Sequence, residues 1–406
     1  VGALGGGDVT LVAGRHVSNI DAVVPTNARA PKGAPDATKL VEFGGGDLVV
    51  RAGGDIDGGV YYVERGHGTL AAGGSIHTNS TRAALTQSDV IAFDNQRIAP
   101  DATTWLPTTL FLGKGSFAVS ARGDLLLGPV ANPFLLPQGV NNNAYEKTYF
   151  STYAASDAVD VASLTGTLTL RDSTDTGAGS LSAWYQNVLL YDAAHHQTFS
   201  SYSQPWLRLL ETDITPFFTA NALMPATLRA TAFSGDLNLV GRMTLAPSAQ
   251  GTLELSAARS IGGLQVNDVN PASGSKLWGS SEIILSDADP RRVPGVASPL
   301  ALSAAAALAP TVTPIDLLDA LNALFNESGS TTGVFGVIQT KQALHAPGPL
   351  HFADLAPARL SARSGSISGL TFFSAKAARV TAGRDITDVA LYLQNTRADD
   401  VSVVAA

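Results

Sequence analysis

The 406-residue sequence contains no cysteine. That excludes disulfide scaffolds, thiolate zinc sites, iron–sulfur clusters and cysteine nucleophiles. Charge is scarce as well, at 15% Asp, Glu, Lys and Arg, while 45% of residues are apolar. A disordered chain has the opposite balance, few apolar residues and a large net charge. Long apolar runs are missing too. The longest candidate, 300–309, is alanine-rich and stops at Pro310, far short of the ~20 residues of a membrane-spanning helix. Basic residues are in the minority, 26 against 34 acidic ones, for a formal charge of −8. That argues against nucleic acid, whose phosphates need a basic face, and against docking on anionic lipid. Neither a nucleic-acid partner nor a membrane span is expected. The chain opens at Val1 without an initiator Met or a signal peptide, and 399–406 reads like the middle of a strand. The expectation is a fragment of a longer protein, cut inside a repeating structure.

Glycine is plentiful, 40 residues, but not at every third position, so a collagen helix is excluded. Its placement follows a repeat. The unit is a short alternating apolar run, then Ala-Gly or Ala-Arg, then a polar residue and an Ile or Val. Copies are Val9-Thr10-Leu11-Val12-Ala13-Gly14-Arg15-His16-Val17 and Leu48-Val49-Val50-Arg51-Ala52-Gly53-Gly54-Asp55-Ile56. Others begin at Thr69, Phe117, Leu253, Leu360 and Val380, with a last, truncated copy at Val401. Leu48 to Leu70 is 22 residues, Leu360 to Val380 is 20 and Val380 to Val401 is 21. Each unit reads as a short strand with period-2 alternation, a glycine-permitted corner and a second short strand. A unit this small cannot bury its apolar face alone and must stack on its neighbours. Strand-only repeats of ~20 residues predict an all-β fold, a right-handed parallel β-helix, here of about 13 coils and on the order of 60 Å long. Leucine-rich repeats share the period, but their fixed Asn and helical segment are absent, and no propeller period of ~40 residues is kept.

The whole chain, 1–406, then reads as one β-helical shaft with insertions at about 131–160, 184–230 and 293–350. The first carries Asn132-Pro133, three consecutive asparagines at 141–143 and several tyrosines. The second is rich in aromatics. The third holds the one convincing helix, 314–325, with Thr313 as N-cap, Pro314 at the first helical position and a Leu317, Leu318, Leu321, Leu324, Phe325 stripe. Aromatic side chains stack on sugars and anchor interfaces, which makes Trp184, Tyr185, Tyr191, Tyr202 and Trp206 the candidate binding residues. Packing of the insertion onto the rod would use the same residue types.

Other constellations read more plainly as structure. Asp287, Asp289, Arg291 and Arg292 would suit a calcium or uronate site, but Pro290 and Pro294 shape an ordinary turn there. Asp55, Asp57 and Gly58-Gly59 resemble the start of a calcium loop without its remaining ligands, and the aspartates suit turn-fixing bonds to backbone. His195 and His196 would face opposite ways on a strand. Ser273-Gly274-Ser275-Lys276 lacks partner motifs, and Gly113-Lys114 lacks the upstream glycine of a phosphate loop. No catalytic residue, metal site or cofactor is expected.

The openings Gly5-Gly6-Gly7-Asp8-Val9-Thr10-Leu11 and Gly44-Gly45-Gly46-Asp47-Leu48, with Ala52-Gly53-Gly54-Asp55-Ile56 and Ala382-Gly383-Arg384-Asp385-Ile386, resemble large exoproteins of the filamentous haemagglutinin family. The resemblance is best at the two ends of the chain. It implies a β-helical adhesin of a Gram-negative bacterium, exported by two-partner secretion through an outer-membrane transporter and found secreted or at the cell surface. The partner would be a receptor or glycan on a host or neighbouring cell. The family's secretion domain has no counterpart here, since Asn132-Pro133-Phe134 and Asn270-Pro271-Ala272 do not match its Asn-Pro-Asn signatures. The expected function is a structural and adhesive rod segment. The alternatives are a carbohydrate-active β-helix enzyme, a lyase or hydrolase built on a carboxylate pair, and a passenger segment of an autotransporter.

Overall fold

The structure is a computed structural model. It describes residues 1–3, 5–18, 20–29, 41–77, 108–132, 137–138, 146–149, 151–171, 223–269, 276–293, 300–303 and 346–406. These residues form a parallel β-helix. Its strands lie in two long sheets stacked in sequence order, with a three-stranded and a two-stranded sheet set apart.

Ten strands make the main ladder of the first sheet: Val9–Ala13, Leu48–Ala52, Val60–Ala72, Thr109–Ala121, Ala158–Ser163, Thr227–Ala232, Thr252–Ala257, Ala358–Ala362, Ala378–Ala382 and Val403–Ala405. All pair in parallel and in register. Leu11, Val50, Leu70, Val119, Val161, Ala230, Leu255, Leu360 and Val380 form one inward column, continued in register by the exposed Val404. The period-2 alternation sends these side chains into the core and their neighbours outward. Two places on, Ala13, Ala52, Ala72, Ala121, Ala232 and Ala257 share a second inward column, with Ser163 as the exception. Its buried hydroxyl donates to the Gly123 carbonyl at 2.8 Å, so the exception leaves no unmet polar group.

After the alanine the chain turns a corner and enters the second sheet. Val17, Ile56, Ile76, Leu125, Leu168, Leu237, Ile261, Ile367 and Ile386 head these strands and stack in register. A third face closes the early coils. There 60–63 pairs with Ala22–Val24, 109–112 pairs with 60–63, and Val130–Ala131 pairs with Leu110 and Phe111. Strand Val60–Ala72 therefore serves two faces, turning between them at 64–67, where Gly66 has φ +141°.

The polar residue of several repeats has a specific task. Its side chain accepts a hydrogen bond from the backbone N–H of its counterpart one coil on. His16 Nδ1 accepts from Asp55 N at 3.0 Å, Asp55 from Ser75 N at 2.7 Å and Asp124 from Thr167 N at 2.7 Å. Asp236 accepts from Ser260 N, Ser260 from Ser366 N and Ser366 from Asp385 N, at 2.9, 3.2 and 3.3 Å. At another corner Asp8 accepts from Asp47 N and Asp47 from His67 N, both at 2.8 Å. Corners cannot continue the strand ladder, so these side chains satisfy amides that would otherwise lack partners.

Coil length varies widely. Leu48 pairs with Gly68 and Ala358 with Ala378, each 20 residues on, whereas Leu70 pairs with Val119 and Glu254 with Arg359, across much longer stretches. Two rungs absent from the sequence copies, Ala158–Ser163 and Thr227–Ala232, belong to the ladder. Leu164 and Phe233 break their Ala-Gly signature and stand exposed at the corner. The insertions 184–230 and 293–350 fall largely outside the described residues and the helix 314–325 wholly so, while most of 131–160 is described. Among the described residues no helix is long and apolar enough to cross a membrane.

Candidate functional site: a polar junction at one corner

A group of ionisable side chains converges at the corner 64–67 and its neighbours. Three elements meet there. The coil strands supply Tyr62, Glu64, Arg65 and Lys114. A hairpin of Thr26–Arg29 and Val41–Gly44, leaving the first coil, supplies Glu42. The segment 151–157, which leads into rung Ala158–Ser163, supplies Thr152, Tyr153 and Asp157.

Glu64 is the centre. It is 1% exposed although it points away from the core column that holds Tyr61 and Val63. Tyr62 Oη donates to its Oε2 at 2.7 Å. Gly113 lies directly against the carboxyl group, so close that an added methyl would collide with it. Burial pushes the Glu64 pKa up to about 8. Glu64 is therefore mostly protonated at neutral pH. The nearby cation is engaged elsewhere, since Lys114 Nζ donates to both oxygens of Glu42 at 3.0 and 2.8 Å. Arg65 lies 3.8 Å from the same carboxylate.

The segment 151–157 is tied in by its own bonds. Asn132 Nδ2 donates to the Leu112 carbonyl at 2.9 Å and to Thr152 Oγ1 at 3.1 Å, while Thr152 N donates to Asn132 Oδ1 at 3.2 Å. Asp157 accepts from Gly115 N at 2.9 Å and from Ala154 N. Burial raises its pKa to about 6, against the pull of those two amides. Outward-facing Tyr62 and Phe111 are buried beside this cluster and meet edge-on with ring centroids 6.3 Å apart.

A second buried cluster anchors 346–357. Lys376 is 2% exposed, and its ammonium donates to the Gly251 carbonyl at 3.0 Å and to Asp354 Oδ2 at 2.6 Å. The Lys376 ammonium and the Ala356 amide hold Asp354 below the usual carboxylate range despite its partial burial. His351 is buried beside them, its Nδ1 3.4 Å from Asp354 Oδ2, and neither ring nitrogen makes a hydrogen bond among the described residues. Burial, reinforced by the Lys376 charge, lowers its pKa to about 4.

Sites expected from sequence fare differently. Trp184, Tyr185, Tyr191, Tyr202 and Trp206 all lie outside the described residues, as do His195, His196 and Ser273. Asp289 and Arg291 form a pair within one turn. The carboxylate caps the 3-10 turn Pro290–Arg292 by accepting from Arg291 N at 3.0 Å, and Arg291 Nη2 reaches it at 2.7 Å. Asp55 is a corner bond, and Asp57 faces His77 at 3.2 Å. Among the described residues no group of three or more His, Asp or Glu could hold a metal ion.

The chain matches no family model, no curated protein and no solved structure.

Glu64, Glu42 and Lys376 escaped the sequence reading. A carboxylate after four apolar residues, Val60-Tyr61-Tyr62-Val63, was the available signal for Glu64. The other residues of the junction come from positions 42, 114, 132 and 152, which no spacing rule connects.

Proposed function

We propose that this chain is the rod segment of a secreted or surface-exposed bacterial exoprotein, and that it serves attachment to cells or surfaces. The observation that carries the reading is the continuous parallel ladder, ten rungs in register with inserts leaving between rungs. Such a solenoid is stiff along its axis and displays inserted loops at a distance from its anchor. The Gly-Asp corner motifs that resemble filamentous haemagglutinin support the same reading, and the corner ladders of Asp8, Asp47 and Asp55 give them a physical purpose. Export would use an outer-membrane transporter, and the partner would be a receptor or glycan on a host or neighbouring cell. Recognition would fall to the aromatic insertion at 184–230.

The test is binding of the purified, labelled chain to cultured cells and to immobilised glycans. Saturable binding, weakened about tenfold or more by Trp206→Ala, is the expected result. No binding to any cell or glycan surface would overturn the reading.

A further inference from the structure

The second buried cluster holds an amine and a carboxyl group in contact, with little water around them. We propose that Lys376 and Asp354 join through an isopeptide bond, from Lys376 Nζ to Asp354 Cγ, which ties the segment 346–357 covalently to the rod.

Four groups meet there in the places such a reaction needs. The nucleophile is Lys376 Nζ, 2.6 Å from Asp354 Oδ2, on a side chain only 2% exposed. Its bond to the carbonyl of Gly251, at 3.0 Å, fixes its position ahead of the rung Thr252–Ala257. The other carboxylate oxygen, Oδ1, accepts from the Ala356 amide at 3.0 Å, so a donor already stands where negative charge would collect. The His351 ring is fully buried, with Nδ1 3.4 Å from Oδ2, the oxygen that must leave. Neither of its nitrogens makes a hydrogen bond among the described residues, which leaves the ring free to carry a proton. The Asp354 side chain is 19% exposed, so released water has a way out.

The step balances with these groups alone. One proton passes from the Lys376 ammonium to Asp354 Oδ2 along their hydrogen bond. The resulting neutral amine and carboxylic acid escape the cost of two buried charges. The amine lone pair attacks Cγ, and charge develops on Oδ1 against the Ala356 N–H. The nitrogen sheds a second proton, His351 carries it to Oδ2, and Oδ2 leaves as water. The C–N bond forms and the C–Oδ2 bond breaks. Of the three ammonium hydrogens, one stays on the amide and two depart in the water, and no redox partner is needed. Reacting groups held in this way reach effective concentrations on the order of 10⁵ M or more, and exclusion of water opposes the reverse reaction.

Asp354 and Lys376 lie 22 residues apart and bracket the strands Ala358–Ala362 and Ile367–Ser374. The bond therefore closes one coil into a covalent ring, in a chain with no cysteine to supply a disulfide.

Mass spectrometry of the denatured full chain reads the bond directly. The expected mass is lower than that of the sequence by one water. Trypsin should release a branched peptide joining 342–359 to 364–379, uncut after Lys376. Lys376→Arg and Asp354→Ala should each restore the full mass. A wild-type chain at its full sequence mass overturns the proposal. So does a loss of water that survives in Lys376→Arg, since it then arises elsewhere in the chain.

Discussion

Asp388 is the one described residue other than glycine with positive φ, at +53°. It is the coil-to-coil counterpart of Gly369, whose φ is +68°, since Ser368 pairs with Thr387 and Leu370 with Val389 on either side. A left-handed conformation costs an L-residue with a side chain about 1 kcal/mol, less for Asp than for most. Asp388→Gly should accordingly raise stability by about 0.5–1 kcal/mol, measured by chemical denaturation. Destabilisation by the same amount would mean that the Asp388 side chain holds the corner. His351 makes a different prediction at this scale. Its folded pKa of about 4 lies below the ordinary 6.5, so the unfolded chain takes up the proton first as pH falls. The neutral, buried form contributes fully above pH 6.5 and its contribution is lost toward pH 4, on the order of 3 kcal/mol. Wild-type chain should lose that stability over the interval and His351→Phe should not. Equal losses in both would place the acid sensitivity elsewhere. Neither residue was legible as special in the sequence, because Asp388 lies beyond the repeat unit that ends at Ile386 and His351 owes its environment to Lys376 and Asp354, brought in by folding.

Between neighbouring coils, one inward column shows how size is traded. Gly68 pairs with Phe117, and a methyl on Gly68 would run into the Phe117 ring. Leu48 lies on the other side of Gly68, so the missing side chain makes room for the large one. Gly68→Ala should cost about 1–3 kcal/mol through overpacking. Gly68→Ala combined with Phe117→Leu should recover at least about 1 kcal/mol of the sum of the single losses. Strict additivity in that cycle would contradict the contact. The corner ladder has its own check. Asp55→Ala leaves the Ser75 amide without its acceptor and should lower stability by about 1 kcal/mol. These elements explain what the sequence disclosed. Alternation and the Ala-Gly corner marked most rungs because one inward column and one corner bond recur on coil after coil. Ala158–Ser163 and Thr227–Ala232 escaped because Ser163, Leu164 and Phe233 replace the marker residues while the inward alternation of Val159, Val161, Leu228 and Ala230 persists. The polar junction escaped for a physical reason as well. Its residues converge through hairpin and inter-coil contacts that follow no period.

At the scale of the whole chain, the two long sheets place residues far apart in sequence on neighbouring rungs. Leu70 illustrates the dependence on that stacking. It is fully buried between Val50 and Val119. Leu70→Asp buries a charge without a partner and should abolish the cooperative β-sheet signal in circular dichroism. The adhesive reading and the corner ladders presuppose the same register. The most direct test of that register uses the absence of cysteine, which lets two introduced thiols carry spin labels without competition. Ser120 and Ser361 lie in one outward column, linked rung by rung through Ala162, Thr231 and Ser256. Four steps at ~4.8 Å put them about 20 Å apart, although 240 residues separate them in the chain. Double electron–electron resonance on Ser120→Cys/Ser361→Cys should show one narrow distance near 20 Å. A broad distribution, or a distance beyond about 35 Å, would contradict the stacked helix.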